Sequence, residues 1–170
     1  QDRVSFRHVS PGPLPFDDQS YDVVFSKDAM IHIPDKQSLF GEVRRVLCSG
    51  GMLTASDWLQ SEEGRGTTEM AQMSEAIGLT FSLATPEETV AALQSVGFEN
   101  VSIRDRNQMY QIEARHELER LEGPLRQEAI SLIGQEKYEK WALARRLICE
   151  ALDKNFLRLV HVFGDRKRVV

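Results

Sequence analysis

The sequence predicts an α/β domain whose mostly parallel sheet is covered by helices. Three observations predict it. Short apolar, strand-like runs alternate with segments of helical period along the chain. The run Tyr21-Asp22-Val23-Val24-Phe25-Ser26 is apolar in the manner of a strand buried on both faces. A long helical region, Met109 to Leu152, separates the last two strand-like runs. The 170 residues are enough for one domain with its own core.

Each element has its own signal. Val4 to Val9 alternates apolar and polar residues, the period of a strand, and Ser10-Pro11-Gly12-Pro13 breaks it. After the Tyr21–Ser26 run, Asp35 to Leu47 has helical period, with Leu39, Phe40, Val43, Val46 and Leu47 on one stripe. Ser49-Gly50-Gly51 reads as the turn that ends this helix, and Met52 to Ser56 as the next strand. Glu62 to Gly66 is a charged loop, followed by a helix over Thr67 to Ile77. Thr85-Pro86-Glu87-Glu88 starts a helix that runs to Val96: Thr caps it, Pro occupies the first turn and Glu88 closes a capping box. Val101 to Asp105 alternates as a strand. The helical region from Met109 is interrupted near Gly123-Pro124 and Gly134, and Phe156 to Phe163 is the final strand. The stretch 109–152 therefore reads as a helical insertion within a single domain spanning 1–170.

Composition narrows the function. A net charge of -5 argues against a nucleic-acid or anionic-membrane partner, which would need clustered Lys and Arg. No run of about 18 apolar residues is present to span a bilayer. Cys48 and Cys149 sit in apolar helical patterns and read as buried thiols of a reducing, cytoplasmic setting. No Cys/His cluster has metal-ligand spacing, so no metal is expected. The opening Gln1-Asp2-Arg3, without Met and leading straight into a strand-like run, reads as a processed product or a truncated reading frame.

In open α/β sheets ligands lie beyond the carboxyl ends of strands, which directs attention to Ser26 through His32. Asp28 and His32 stand four residues apart, and such residues meet if the segment turns helically. A neutral His can accept a proton near neutral pH, and a neighbouring carboxylate can orient it. The bland alternative makes Asp28 a turn residue and His32 a cap of the following helix. Trp58, just after Asp57, reads equally as one wall of an amine pocket or as a packing aromatic. Met70, Met73 and Phe81 read as core before lid, and Tyr110, Tyr138 and Trp141 as core or interface.

The ordered set Leu14-Pro15-Phe16, Ser20-Tyr21-Asp22, Ser26-Lys27-Asp28, His32 and Pro34-Asp35-Lys36 resembles class I S-adenosylmethionine-dependent methyltransferases. Gly50-Gly51-Met52-Leu53-Thr54, Ser56-Asp57 and the Thr85–Gly97 helix with Phe98-Glu99-Asn100-Val101 extend the likeness across most of residues 4 to 105. Within that family the chain looks most like the phosphoethanolamine and sarcosine/dimethylglycine N-methyltransferases. The resemblance implies the carboxyl-terminal part of a Rossmann-like methyltransferase sheet, with S-adenosyl-L-methionine as cofactor. It implies Asp28 and His32 at the methyl-transfer site, Ser10, Pro11, Ser26 and Lys27 toward the cofactor, and Asp57 and Trp58 toward a small-molecule amine.

Departures refine this expectation. The family's glycine-rich first loop and its ribose-binding acid have no counterpart in the chain, and Lys27 stands where the phosphoethanolamine enzymes tend to have Arg. Their phosphate-binding Arg and Tyr correspond to Leu79 and Phe81, which offer no donors. The resemblance thus favours a sarcosine- or dimethylglycine-like acceptor over phosphoethanolamine. Two alternatives stay open: a non-catalytic fragment or interaction module, and a methyltransferase for a carboxylate, phenol or polyketide-like acceptor. Loss of the first strands would expose the edge of the Tyr21–Phe25 strand, so cover is expected from a second copy of the chain or from a relocated Val4–Val9 strand.

Overall fold

In the computed structural model, which describes residues 3–10 and 12–168, four strands form one sheet in the order β1-β2-β4-β3. The strands are β1 (Tyr21–Lys27), β2 (Leu47–Gln60), β3 (Phe98–Asp105) and β4 (Leu157–Arg166). The helices are α1 (Lys36–Val46), α2 (Thr68–Ile77), α3 (Pro86–Ser95), α4 (Asn107–Glu122), α5 (Arg126–Ile133) and α6 (Gln135–Asp153). β1 runs parallel to β2, while β4 is antiparallel to both β2 and β3. Three of the four strands therefore share one direction. The last strand enters reversed between two of them, so most neighbouring pairs are antiparallel, contrary to the parallel pairing that the alternation predicts.

Side chains alternate across β2, and the two faces have different fates. Leu53, Ala55 and Leu59 point to one face. There they pack with Val160 and Val162 of β4 against Phe40 and Val43 of α1 and Leu93 of α3. This is the main core. On the other face, Trp58 packs under α4 and α6 with Tyr110 and Ile148. Toward β1 that second face lacks a helical cover: Val23, Met52 and Phe25 are exposed, Phe25 by 67%.

Local chemistry places the elements. Asp35 caps α1 by accepting from Ser38 N at 2.9 Å and Ser38 Oγ at 2.6 Å. The far end of α1 is satisfied by Arg166, which donates to the carbonyls of Arg44, Arg45 and Leu47. Thr85 and Glu88 form the anticipated capping box of α3. Arg45 fastens the segment before β1 to α1 through the Phe16 and Leu14 carbonyls, each at 2.8 Å.

Several expectations are corrected. Residues 4–9 form no strand; they are exposed coil, with Phe6 97% exposed, and Arg7 ties them to the Pro15 carbonyl and the Phe16 ring. Alternation alone makes no strand without a neighbour to bond, so Val4–Val9 does not cover β1. Among the described residues, β2 alone pairs with β1. Gly50 does not end the helix. α1 stops at Val46 and β2 begins at Leu47, with its register against β1 slipping between Tyr21↔Leu47 and Val23↔Met52. Gly50 takes φ 80° within that irregularity. Gly51 lies against the Asp22 carbonyl, where a Cβ would approach to 2.8 Å. Cys48 accordingly lies on β2, half-buried, its thiol donating to the Gln19 carbonyl.

Candidate functional site

The carboxyl end of β1 opens into a cavity of about 890 Å³. Asp28 begins its wall. Its backbone N–H extends the ladder to the Ser56 carbonyl at 2.9 Å, and the chain then leaves the strand at φ 51°. Asp tolerates this left-handed conformation better than most residues. A single 3₁₀ turn over Met30–His32 follows. Two bonds lock that turn to the facing segment: Ser82 N–H donates to the Ile31 carbonyl at 2.7 Å, and His32 Nδ1 meets the Thr80 carbonyl at 3.1 Å. The His32 and Phe81 rings lie 5.6 Å apart. From beneath, Lys36 Nζ donates to the carbonyls of Met30 at 2.5 Å and Ile33 at 2.7 Å, and burial lowers its pKa.

The His32 contact fixes its chemistry. A carbonyl oxygen only accepts, so Nδ1 carries a proton and Nε2 is the ring atom left to exchange one. His32 itself lines this wall of the cavity. Asp28 and His32 share the cavity but not the contact that the i, i+4 spacing predicts. The 3₁₀ turn and the left-handed residue replace the α-helical turn that such pairing requires. Asp28 pairs instead with Lys27, which raises the Lys27 pKa, and His32 pairs with Thr80.

Helices supply the rest of the lining. Trp58 meets Tyr110 of α4 edge to face, with ring centroids 4.8 Å apart. Burial pushes the Tyr110 phenol up, partly offset by a hydrogen bond with Arg145. Arg145 is itself paired with Glu117 at 3.2 Å. α6 contributes Trp141, Ala144 and Ile148, and α2 with the segment after it contributes Met73, Ile77 and Leu79. The lining is mainly apolar and aromatic, as in sites that hold drug-sized molecules.

Asp57 and Trp58 do not act together. Adjacent residues of a strand face opposite ways, so Trp58 lines the cavity while Asp57 enters the covered side at 1% exposure. Asp57 is therefore corrected from a substrate contact to a buried support. Its Oδ1 accepts from Trp58 N at 2.9 Å, its Oδ2 has no hydrogen-bond partner, and burial raises its pKa to about 6 against the help of the Trp58 N–H and Lys36. Ser26 is half-buried at the end of β1, opposite Ala55, and Lys27 beside it is exposed. Ser10 lies in exposed coil, away from the cavity lining. Pro11 lies outside the described residues. Among those residues, no group of His, Cys, Asp and Glu is arranged to hold a metal ion, and no helix is long and apolar enough to cross a membrane.

Sequence reasoning missed most of the α6 wall. Its signal was present: Lys137, Trp141, Ala144 and Ile148 recur at helical spacing on one face, and Lys140 and Arg145 flank them. Only the fold shows that this face meets the end of β1.

Comparison with known proteins agrees with the architecture. The family described as "Methyltransferase domain" matches residues 1–55. The 27-O-demethylrifamycin SV methyltransferase of Amycolatopsis mediterranei is 30% identical over 139 residues, covering 81% of this chain and 51% of that protein. The sarcosine/dimethylglycine N-methyltransferase of Halorhodospira halochloris is 31% identical over 116 residues, covering 66% of this chain and 40% of that protein. The chain thus spans about half or less of the length of these curated relatives. Among solved structures, Haemonchus contortus phosphoethanolamine N-methyltransferase 2, in complex with phosphomonomethylethanolamine and S-adenosylhomocysteine, superposes with a TM-score of 0.78 at 19% identity. That match covers 91% of this chain and 35% of that one. The chain's α/β fold is similar to that of solved methyltransferases, and its sequence resembles the phosphoethanolamine and sarcosine/dimethylglycine N-methyltransferases.

Proposed function

We propose that this chain forms the acceptor side of an S-adenosylmethionine-dependent methyltransferase, and that the acceptor is a bulky, mainly apolar small molecule methylated on a hydroxyl group. The observation that carries this reading is the cavity of about 890 Å³, whose lining sets His32 among aromatic and aliphatic side chains. A sarcosine-sized amine has a handful of non-hydrogen atoms and would leave most of that volume unfilled, whereas pockets of several hundred Å³ enclose drug-sized ligands. The relative named for 27-O-demethylrifamycin SV, which aligns with 81% of the chain, supports the same choice.

When bound, the cofactor supplies an electrophilic methyl group on a sulfonium. The residues present fit that end of it. The Asp28 carboxylate faces the cavity at the carboxyl end of β1, and a carboxylate favours a nearby positive charge. The Trp58 and Tyr110 rings line the same space and suit a cation. His32 would take the proton of an acceptor hydroxyl as that oxygen is methylated. The apolar walls exclude water and hold the acceptor in line, which is the larger part of such catalysis.

A second reading, methylation of a small amine, rests on the same Asp28 carboxylate and aromatic faces, which also suit an ammonium group. His32→Gln tests the base. Gln is uncharged and of similar length but cannot take a proton, so methyl transfer should fall by about 10²- to 10⁴-fold with acceptor binding unchanged. An undiminished rate would remove His32 from the chemistry.

A further inference from the structure

The α6 wall of the cavity changes character along its length. Ala144 and Ile148 make its inner part apolar, while Lys137 and Lys140, in the first and second turns of the helix, and the half-exposed Trp141 line its outer part. These lysines are poorly placed for the helix itself. The positive end of the helix dipole lies at its amino terminus, so cations in the first turns oppose it and anions there are favoured. Lys140 has one exposed partner, Glu136 at 2.8 Å, a pair of a kind worth little in water. Lys137 makes no ion pair among those found for the described residues. Glu75, at the carboxyl end of α2, lines the same cavity without pairing with either lysine. Arg145 also lines it, but Glu117 already neutralises that guanidinium. Lys137, which has no ion pair among those found for the described residues, and Lys140, whose one partner is the exposed Glu136, are therefore the basic groups this cavity offers a ligand, with Glu75 as an opposing carboxylate of the same lining.

We infer that the ligand of this cavity is an anionic amphiphile, its apolar body against Trp58, Tyr110 and Trp141 and its carboxylate, phosphate or similar group held by Lys137 and Lys140. This rests on the reading of the cavity as an apolar acceptor chamber and adds the charge of the acceptor. Such a group would complement both lysines and the helix end, while the ring system fills the interior. The basic pair also gives the ligand an orientation, charged group outward and apolar body toward Asp28 and His32.

The chain's two tryptophans both line the cavity, so intrinsic fluorescence reports on this site. Two probes share one ring system: 8-anilinonaphthalene-1-sulfonate is anionic, and N-phenyl-1-naphthylamine is neutral. Both should quench tryptophan emission and displace each other. The double variant Lys137→Gln/Lys140→Gln should bind the sulfonate about tenfold more weakly and the neutral probe as the wild type does. High salt should imitate the variant for the sulfonate alone. Equal affinities of both proteins for the sulfonate would overturn the anionic inference and leave the apolar chamber standing. Failure of both probes to quench would overturn the chamber and the inference with it. The exposed lysines can be replaced without touching the core, and the neutral probe verifies that the cavity is intact.

Discussion

Asp57 makes folding sensitive to pH in an unusual direction. The side chain is 1% exposed, and burial raises its pKa from 3.8 to about 6. The folded protein then holds this proton more tightly than the unfolded chain does. Between about pH 4 and pH 6 the native state binds more protons, so this residue's contribution to stability falls as pH rises. Two pH units correspond to about 3 kcal/mol. Asp35, Glu42, Glu69 and Glu88 have lowered pKa values and work in the opposite sense, so the whole-protein pH curve hides the effect. Asp57→Asn isolates it, because the amide keeps an acceptor for Trp58 N and cannot ionise. Urea unfolding followed by tryptophan fluorescence, from pH 4 to pH 8, gives the difference between variant and wild type. That difference should move in the variant's favour by about 3 kcal/mol across the range and level off above pH 6 to 7. A difference constant to within about 1 kcal/mol would refute the claim that burial governs Asp57.

Two further predictions follow from packing. A Cβ on Gly64 would lie 2.7 Å from Phe156 Cβ and 2.8 Å from its Cα, so Gly64→Ala must displace the entry to β4 and should cost about 1–3 kcal/mol in thermal or urea unfolding; a neutral substitution would show that this turn is loosely held. The unpaired edge of β1 and its exposed Val23 and Phe25 should drive self-association at high protein concentration, with Phe25→Lys reducing it in light scattering. A wild type that stays monomeric at its highest soluble concentration would contradict this.

Much of the fold was legible because local signals agreed with the tertiary outcome. Thr85 caps its helix where its side chain and spacing indicate, the helices read from Asp35 and Thr67 begin there, and Gly97 and Gly123 follow helices that end there. Where sequence reading failed, a non-local partner decided. Val4 to Val9 has the alternation of a strand but no neighbour to bond. Leu47 to Gly50 looks like a helix end but is drawn into β2 by β1. The reversed direction of β4 is a matter of topology, which residue periodicity does not encode. Of the residues the sequence singles out, Asp28, His32 and Trp58 line one cavity. The resemblance points both Asp57 and Trp58 at the acceptor, but adjacent residues of a strand face opposite ways and Asp57 is buried. Tyr110, Lys137 and Trp141 were not foreseen as lining because they come from helices more than 70 residues beyond His32.

The most direct test of the functional account is transfer of a labelled methyl group from S-adenosylmethionine to competing acceptors. One set would be bulky hydroxylated aromatic carboxylates and the other sarcosine and dimethylglycine, with wild type and His32→Gln run side by side. The account predicts label on oxygen of a bulky acceptor, little on the amines, and loss of that label in the variant. Label on sarcosine, a signal indifferent to His32, or no transfer to either set would contradict it.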